Sequence, residues 1–244
     1  MRPPPLRRRP RLHLRWVLLA IAAALCGALV SPHPVVAQGA PPTLPATRAA
    51  QRVLGTLDGV SSTLRTTRYS HSTHIDPAAG RYEWDCSAMA AWVLRRSAPE
   101  AARTVPGARP LAVDFYRTIR AAPVARPRGG WTRVARLEDA RAGDVLAWPR
   151  PRWFPSRNTG HVAFVAESPQ AVSGGVVVRI VDATSLPHEA DTRAPDSGGG
   201  FGAGYLRVDT DPVTGEGRAY GWYGNATPRA YMIETPVVVG RVWR

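Results

Sequence analysis

One cysteine, one histidine and one aspartate set the chemistry open to this chain. Cys86 opens a helical pattern, His161 opens an apolar run, and Asp182 closes the next one. A free thiol titrates near pH ~8.5, and a helix N-terminus or a neighbouring imidazolium brings thiols to roughly 3.5–7.5. The thiolate is the nucleophile; an imidazole beside it holds the ion pair and later protonates a leaving amine. A carboxylate fixes the tautomer and orientation of that imidazole. Backbone N–H groups at the start of the Cys86 helix would face a developing oxyanion. Asp85 opposes thiolate formation if its carboxylate points inward, so its side chain is expected to turn to a cap or to a substrate amine. The competing readings are an inert core thiol, a strand histidine with an edge hydrogen bond, and a carboxylate capping a loop.

These residues lie far apart, so the elements must bring them together. Asp85 to Arg96 reads as a helix: Asp85 suits the N-cap, Cys86, Met89, Ala90 and Val93 share a face, and Pro99 stops it. Thr47 to Leu57 reads as another, capped by Thr47, and Leu111 to Ala121 as a third. Leu64 to Trp84 is polar, aromatic and turn-rich. Beyond it the period becomes extended: Asp144–Trp148, His161–Ala166, Val176–Asp182, Tyr205–Val208, Arg218–Trp222 and Tyr231–Trp243 read as strands between turns. Helices first and hairpin-linked strands afterwards predict an α+β fold with a mainly antiparallel sheet of five to six strands. Adjacent antiparallel strands would set the start of one beside the end of the next, and so His161 beside Asp182. Two long loops, Pro149–Gly160 and Ala183–Gly204, lie next to those strand ends. The second carries His188, Asp191 and Arg193, which fit either a substrate-facing rim or an internally paired anchor.

The 244 residues suit one sizeable domain, and 44% hydrophobic with 20% charged residues excludes wholesale disorder. The formal charge is +14, and all 32 basic residues are arginine. Six of them (Arg2, Arg7, Arg8, Arg9, Arg11 and Arg15) precede the apolar run Trp16–Val30. Ser31, Pro32 and Pro34 break that run, and Val35-Val36-Ala37 offers a cleavage site. This is the three-part pattern of a secretory leader, 1–37, cleaved after Ala37; an uncleaved anchor is the alternative. A Pro-rich linker, 38–46, would join it to a domain spanning 47–244. The expected location is therefore periplasmic or extracellular, with membrane contact only through an uncleaved leader. The mature chain keeps Cys86 alone, a thiol with no partner in an oxidising compartment.

Three strings narrow the chemistry. Tyr82-Glu83-Trp84-Asp85-Cys86-Ser87-Ala88, then Arg141-Ala142-Gly143-Asp144-Val145-Leu146-Ala147-Trp148, then Gly160-His161-Val162-Ala163-Phe164-Val165 resemble landmarks of the NlpC family of papain-like cysteine peptidases. The Gly-Asp-Val and Gly-His-Val strings are also similar to those of the related CHAP amidases. The resemblance covers about residues 64–185. It implies a papain-like fold and hydrolysis of amide bonds in bacterial wall peptides beside D-glutamate, without a metal. It implies that Asp182 supplies the third polar residue, that Asp85 and Ser87 touch substrate, and that Tyr69 or Tyr82 fills an aromatic role upstream of the nucleophile. Ala88 stands where the family has Gly, and Ala142 where it has Pro.

The expected activity is thus a Cys86–His161–Asp182 hydrolase, with substrate contacts from Asp85, Ser87 and Tyr69, no cofactor and no metal. Peptidoglycan or a small peptide is the expected partner, and a monomer the expected state. Acyl transfer by the same triad and a non-catalytic wall- or partner-binding module are the alternatives. His71 and His74 are too few for a zinc site. No P-loop, dinucleotide fingerprint or basic-aromatic pattern points to nucleotide or nucleic acid.

Overall fold

The computed structural model describes residues 44–195 and 197–244. The predicted leader and linker lie outside them, save for residues 44–46. Among the described residues no helix is long and apolar enough to cross a membrane.

Four α-helices form among the described residues: α1 (Arg48–Thr63), α2 (Cys86–Ser97), α3 (Pro99–Thr104) and α4 (Ala112–Ala121). Each of the first two starts where a side chain satisfies an orphan N–H. Thr47 accepts from Ala50 N, and Asp85 from Ala88 N. Pro99 does end α2, and it also opens α3, because a proline at the first helical position gives up no bond. The segment read as turn-rich holds a small sheet in which β1 (Thr66–Tyr69) runs parallel to β3 (Arg81–Trp84), and β2 (His74–Asp76) pairs antiparallel on its other side.

The expected papain-like arrangement of helices on a five- to six-stranded sheet is not what forms. Strands β5 (Val145–Pro149), β6 (Gly160–Val165), β8 (Gly175–Thr184), β9 (Gly200–Thr210), β10 (Gly217–Gly221) and β11 (Ile233–Val242) pair successively. β10 also pairs with β11, so these six antiparallel strands close into a barrel. Two short strands extend it at the margins: β4 (Trp131–Val134) on β11 and β7 (Gln170–Val172) on β8. Closure leaves the six strands with no free edge. β9 starts at Gly200, earlier than the expected strand at Tyr205, because the glycines there pack as part of the strand.

Closure gives each strand an inner and an outer face, and both are apolar. Leu146, Ala163, Val165, Val178, Ile180, Leu206 and Val239 form the barrel interior. Val145, Ala147, Val162, Phe164 and Ala183 alternate with them and join a second core made with the four helices. By the same alternation His161, Asp182 and Trp148 belong to the inner set, at the end where β5 and β8 finish and β6 and β9 begin. That end of the barrel holds the site.

Candidate active site

Three elements deliver the cysteine. β1 and β3 run side by side with Tyr69 opposite Trp84, so Tyr69 arrives beside the Asp85–Cys86 step. Thr67 ties this small sheet to the barrel by donating to Tyr82 O (2.9 Å) and accepting from Phe201 N (2.8 Å). Cys86 is the first residue of α2 and retains 5% of its exposure. Asp85 Oδ1 takes the Ala88 N–H at 2.8 Å, which leaves the Cys86 and Ser87 N–H groups without an acceptor among the described residues. Those two donors are available to an oxyanion.

His161 is the second residue of β6, after Gly160. Gly160 has φ +149°, and any side chain there would collide with the Trp148 carbonyl, so only glycine lets the chain turn into the strand at this point. β6 and β8 are bonded at Phe164–Val181 and Val165–Ile180. Continuing that register sets Asp182 opposite Ala163, diagonal to His161. His161 Nε2 meets Asp182 Oδ2 at 2.7 Å. With Nε2 committed, Nδ1 is the nitrogen left for Cys86. Burial alone would lower the imidazole, but the charge of Cys86, the Asp182 hydrogen bond and a hydrogen bond with Cys86 outweigh it and raise His161 to about 10. Its ring lies 5.0 Å from Trp148 and 5.1 Å, edge to face, from Trp222.

Asp182 is fully buried and carries more partners than the spacing suggested. His188 Nε2 reaches Oδ2 at 3.1 Å, and the Arg193 guanidinium bonds Oδ1 as well as the Asp182 carbonyl (2.9 Å). Burial by itself would push the carboxyl up. The charge of His188, the hydrogen bonds from His161 and His188, and the Arg193 cation hold it well below the usual carboxylate range. The His188–Asp191–Arg193 group is thus turned inward, not outward as a rim.

The other expected contacts divide. Tyr69 lines a cavity of about 110 Å³ with His161, Trp148, Arg150, Asn158 and Trp222. Burial first, then the charges of Cys86 and Asp85, raise its phenol well above the usual value. Tyr82 instead lies in the helix-side core, its hydroxyl 3.0 Å from Thr63 Oγ1. Asp85 and Ser87 line a separate cavity of about 400 Å³ with His71, Trp92, Arg95 and Arg109. There Ser87 Oγ donates to Asp85 Oδ1 (2.8 Å), and Asp85 Oδ2 meets His71 Nδ1 at 3.2 Å, so both residues are engaged in capping α2. Phe154 of the Pro149–Gly160 loop lines the smaller cavity, while Trp153 is exposed.

Two residues on this wall were not singled out by sequence. Trp222 follows β10, stacks on His188 at 5.4 Å and meets His161 with its edge; an aromatic just past a strand end was its only signal. Arg150 sits one residue beyond β5. It donates to Phe154 O at 2.6 Å, its Nε has no hydrogen-bond partner, and no described carboxylate pairs with it. Among the described residues no group of three or more His, Cys, Asp or Glu side chains is placed to hold a metal ion.

No protein-family model, curated protein or solved structure matches this chain. The likeness to the NlpC family therefore rests on the three short strings.

Proposed function

We propose that the protein is an exported cysteine hydrolase of amide bonds, with peptidoglycan stem peptides as its substrate class. The observation that carries this reading is a buried imidazole bonded to Asp182 through Nε2 at 2.7 Å, with the charge of Cys86 among the causes that raise it. Cys86 Sγ attacks the amide carbonyl carbon, and the Cys86 and Ser87 N–H groups receive the oxyanion. The C–N bond breaks as His161 gives its proton to the leaving amine. Water, its proton taken by His161, then attacks the thioester and releases a carboxylic acid and the thiol. The leader pattern of residues 1–37 supports export, and the three strings support a wall-peptide substrate.

Digestion of purified wall by the mature chain, with fragments read by mass, tests the reading. New free amino and carboxyl termini on stem peptides are the expected product. Fragments joined to an added amine would instead mark acyl transfer, and an unchanged wall would reject the substrate assignment.

The alkaline limb has a defined sign. A raised histidine keeps its proton until the pH passes about 10. Amide turnover is expected to fall through that pH, since the leaving amine then finds no proton. Iodoacetamide labelling of Cys86 needs only the thiolate and should not fall there. Parallel pH–rate profiles of the two reactions check this.

Arg150 supports a substrate with a carboxylate near the scissile bond, a cation without a described carboxylate partner being a receptor for one. Arg150→Met is expected to lower the labelling rate of Cys86 by anionic iodoacetate roughly 10-fold relative to neutral iodoacetamide, the worth of one charged hydrogen bond. An unchanged ratio of the two rates would remove Arg150 from substrate recognition.

A further inference from the structure

The loop between β8 and β9 plants two basic residues, His188 and Arg193, in the barrel end. The His188 side chain is fully buried and that of Arg193 nearly so. Room for them is built into β9, where Gly202 and Gly204 fall on the same face. A Cβ at Gly202 would meet the Arg193 side chain at 2.6 Å, and one at Gly204 would meet His188. The segment is pinned at Asp191, which accepts from His188 N (2.9 Å) and Arg193 N (2.8 Å) and takes a two-point contact from Arg193 Nη1. Arg193 Nε donates to Gly200 O at 2.7 Å.

Both groups converge on the carboxylate that holds His161. His188 Nδ1 faces the Trp222 carbonyl at 3.1 Å and Nε2 faces Asp182 Oδ2. Each ring nitrogen therefore meets an acceptor, an arrangement that two N–H donors satisfy. Asp182 Oδ1 is taken by Arg193, and Oδ2 is shared between His161 and His188. With both oxygens fixed from outside the triad, the carboxylate has one orientation, and it is the one that meets His161 Nε2.

We propose that His188 and Arg193 are positioning residues: a two-point clamp that fixes Asp182 on His161 and thereby holds the imidazole in register with Cys86. This rests on the hydrolase reading above and adds to it a dependence on the 185–199 segment. The clamp touches no reacting atom and acts only through Asp182.

The test uses the mature chain, with iodoacetamide as the probe of Cys86 and ¹⁵N-histidine NMR as the probe of His161. In wild type the His161 Nε2–H proton should be resolved downfield, as expected of an N–H held on a carboxylate. Arg193→Met and His188→Gln are expected to weaken or shift that signal and slow neutral-pH labelling about 10-fold or more, the scale of a misplaced catalytic group. Arg193→Lys keeps the charge but not the planar fork, and should recover part of the rate. The clamp is overturned if folded variants keep the wild-type NMR signal and label within about 2-fold of wild type. It is overturned equally if Arg193→Lys and Arg193→Met lose rate alike and only in step with their melting temperatures. If Arg193→Met does not fold, Arg193→Lys and His188→Gln decide by the same two readouts. Failure of the hydrolase reading looks different: His161→Ala then labels like wild type, and the clamp has nothing to position.

Discussion

Serine in place of Cys86 is expected to cut amide hydrolysis by on the order of 10⁴-fold, the scale seen when one member of a nucleophilic triad is lost. Serine matches the thiol in shape, and Cys86 is nearly buried at the first turn of α2, so the substitution leaves α2 and its Asp85 cap in place. What it removes is ionisation. A thiol ionises far more readily than an alcohol, whereas a hydroxyl needs a base strong enough to take its proton during attack. His161, already raised by Cys86 and Asp182, is shaped to hold a proton next to an anion. Stem-peptide fragments counted by mass over time give the rate. A variant that digests wall as fast as wild type would show that Cys86 is not the nucleophile.

The largest stability loss is expected from a residue far from the site. Arg241→Ala should cost about 3–5 kcal/mol, because it strips from a carboxylate with no exposure its only ion pair among the described residues. Asp144 sits in the turn before β5, where it accepts from Arg141 N at 2.9 Å and takes two bonds from Arg241, at 3.0 and 2.8 Å. Burial already raises its carboxyl despite that cation. Without Arg241 the folded state would favour the protonated acid still more, so the unfolded chain would release its proton more readily. The sign follows from linkage: a raised acid costs stability above its folded pKa and regains it as pH falls. Thermal melts should therefore show a drop of roughly 10 °C at neutral pH that shrinks toward pH ~5. Asp144→Asn in the Arg241→Ala background should recover part of the loss. A drop independent of pH would mean that Arg241 acts by packing and not by charge.

How much of this was legible depends on the range of the interaction. Helix starts are local, and Thr47 and Asp85 announce them with one side chain each. The pairing of His161 with Asp182 was legible because two nearby apolar runs that pair in the sheet carry it and a glycine precedes the histidine. Barrel closure was not legible. In Val145-Leu146-Ala147-Trp148 both faces are buried, so no alternation marks which side faces a partner. The contact that closes the ring joins β11 to β5, and no local pattern encodes a pairing between segments so far apart. The same distance hid Arg241 from Asp144. In the Gly200–Tyr205 stretch the glycines read as looseness, yet they are the gaps of a strand packed under His188 and Arg193. Trp131–Val134 and Gln170–Val172 are too short to show a period.

Catalysis by this site requires sulfur and imidazole to act as one unit. The direct measurement is the rate at which iodoacetamide labels Cys86 in the native mature chain near neutral pH, in wild type and in His161→Ala. Rapid labelling that falls at least about 10-fold on removing the imidazole is the expected result. Slow labelling that ignores His161, or that begins only once the chain unfolds, would mean that Cys86 is an ordinary core thiol.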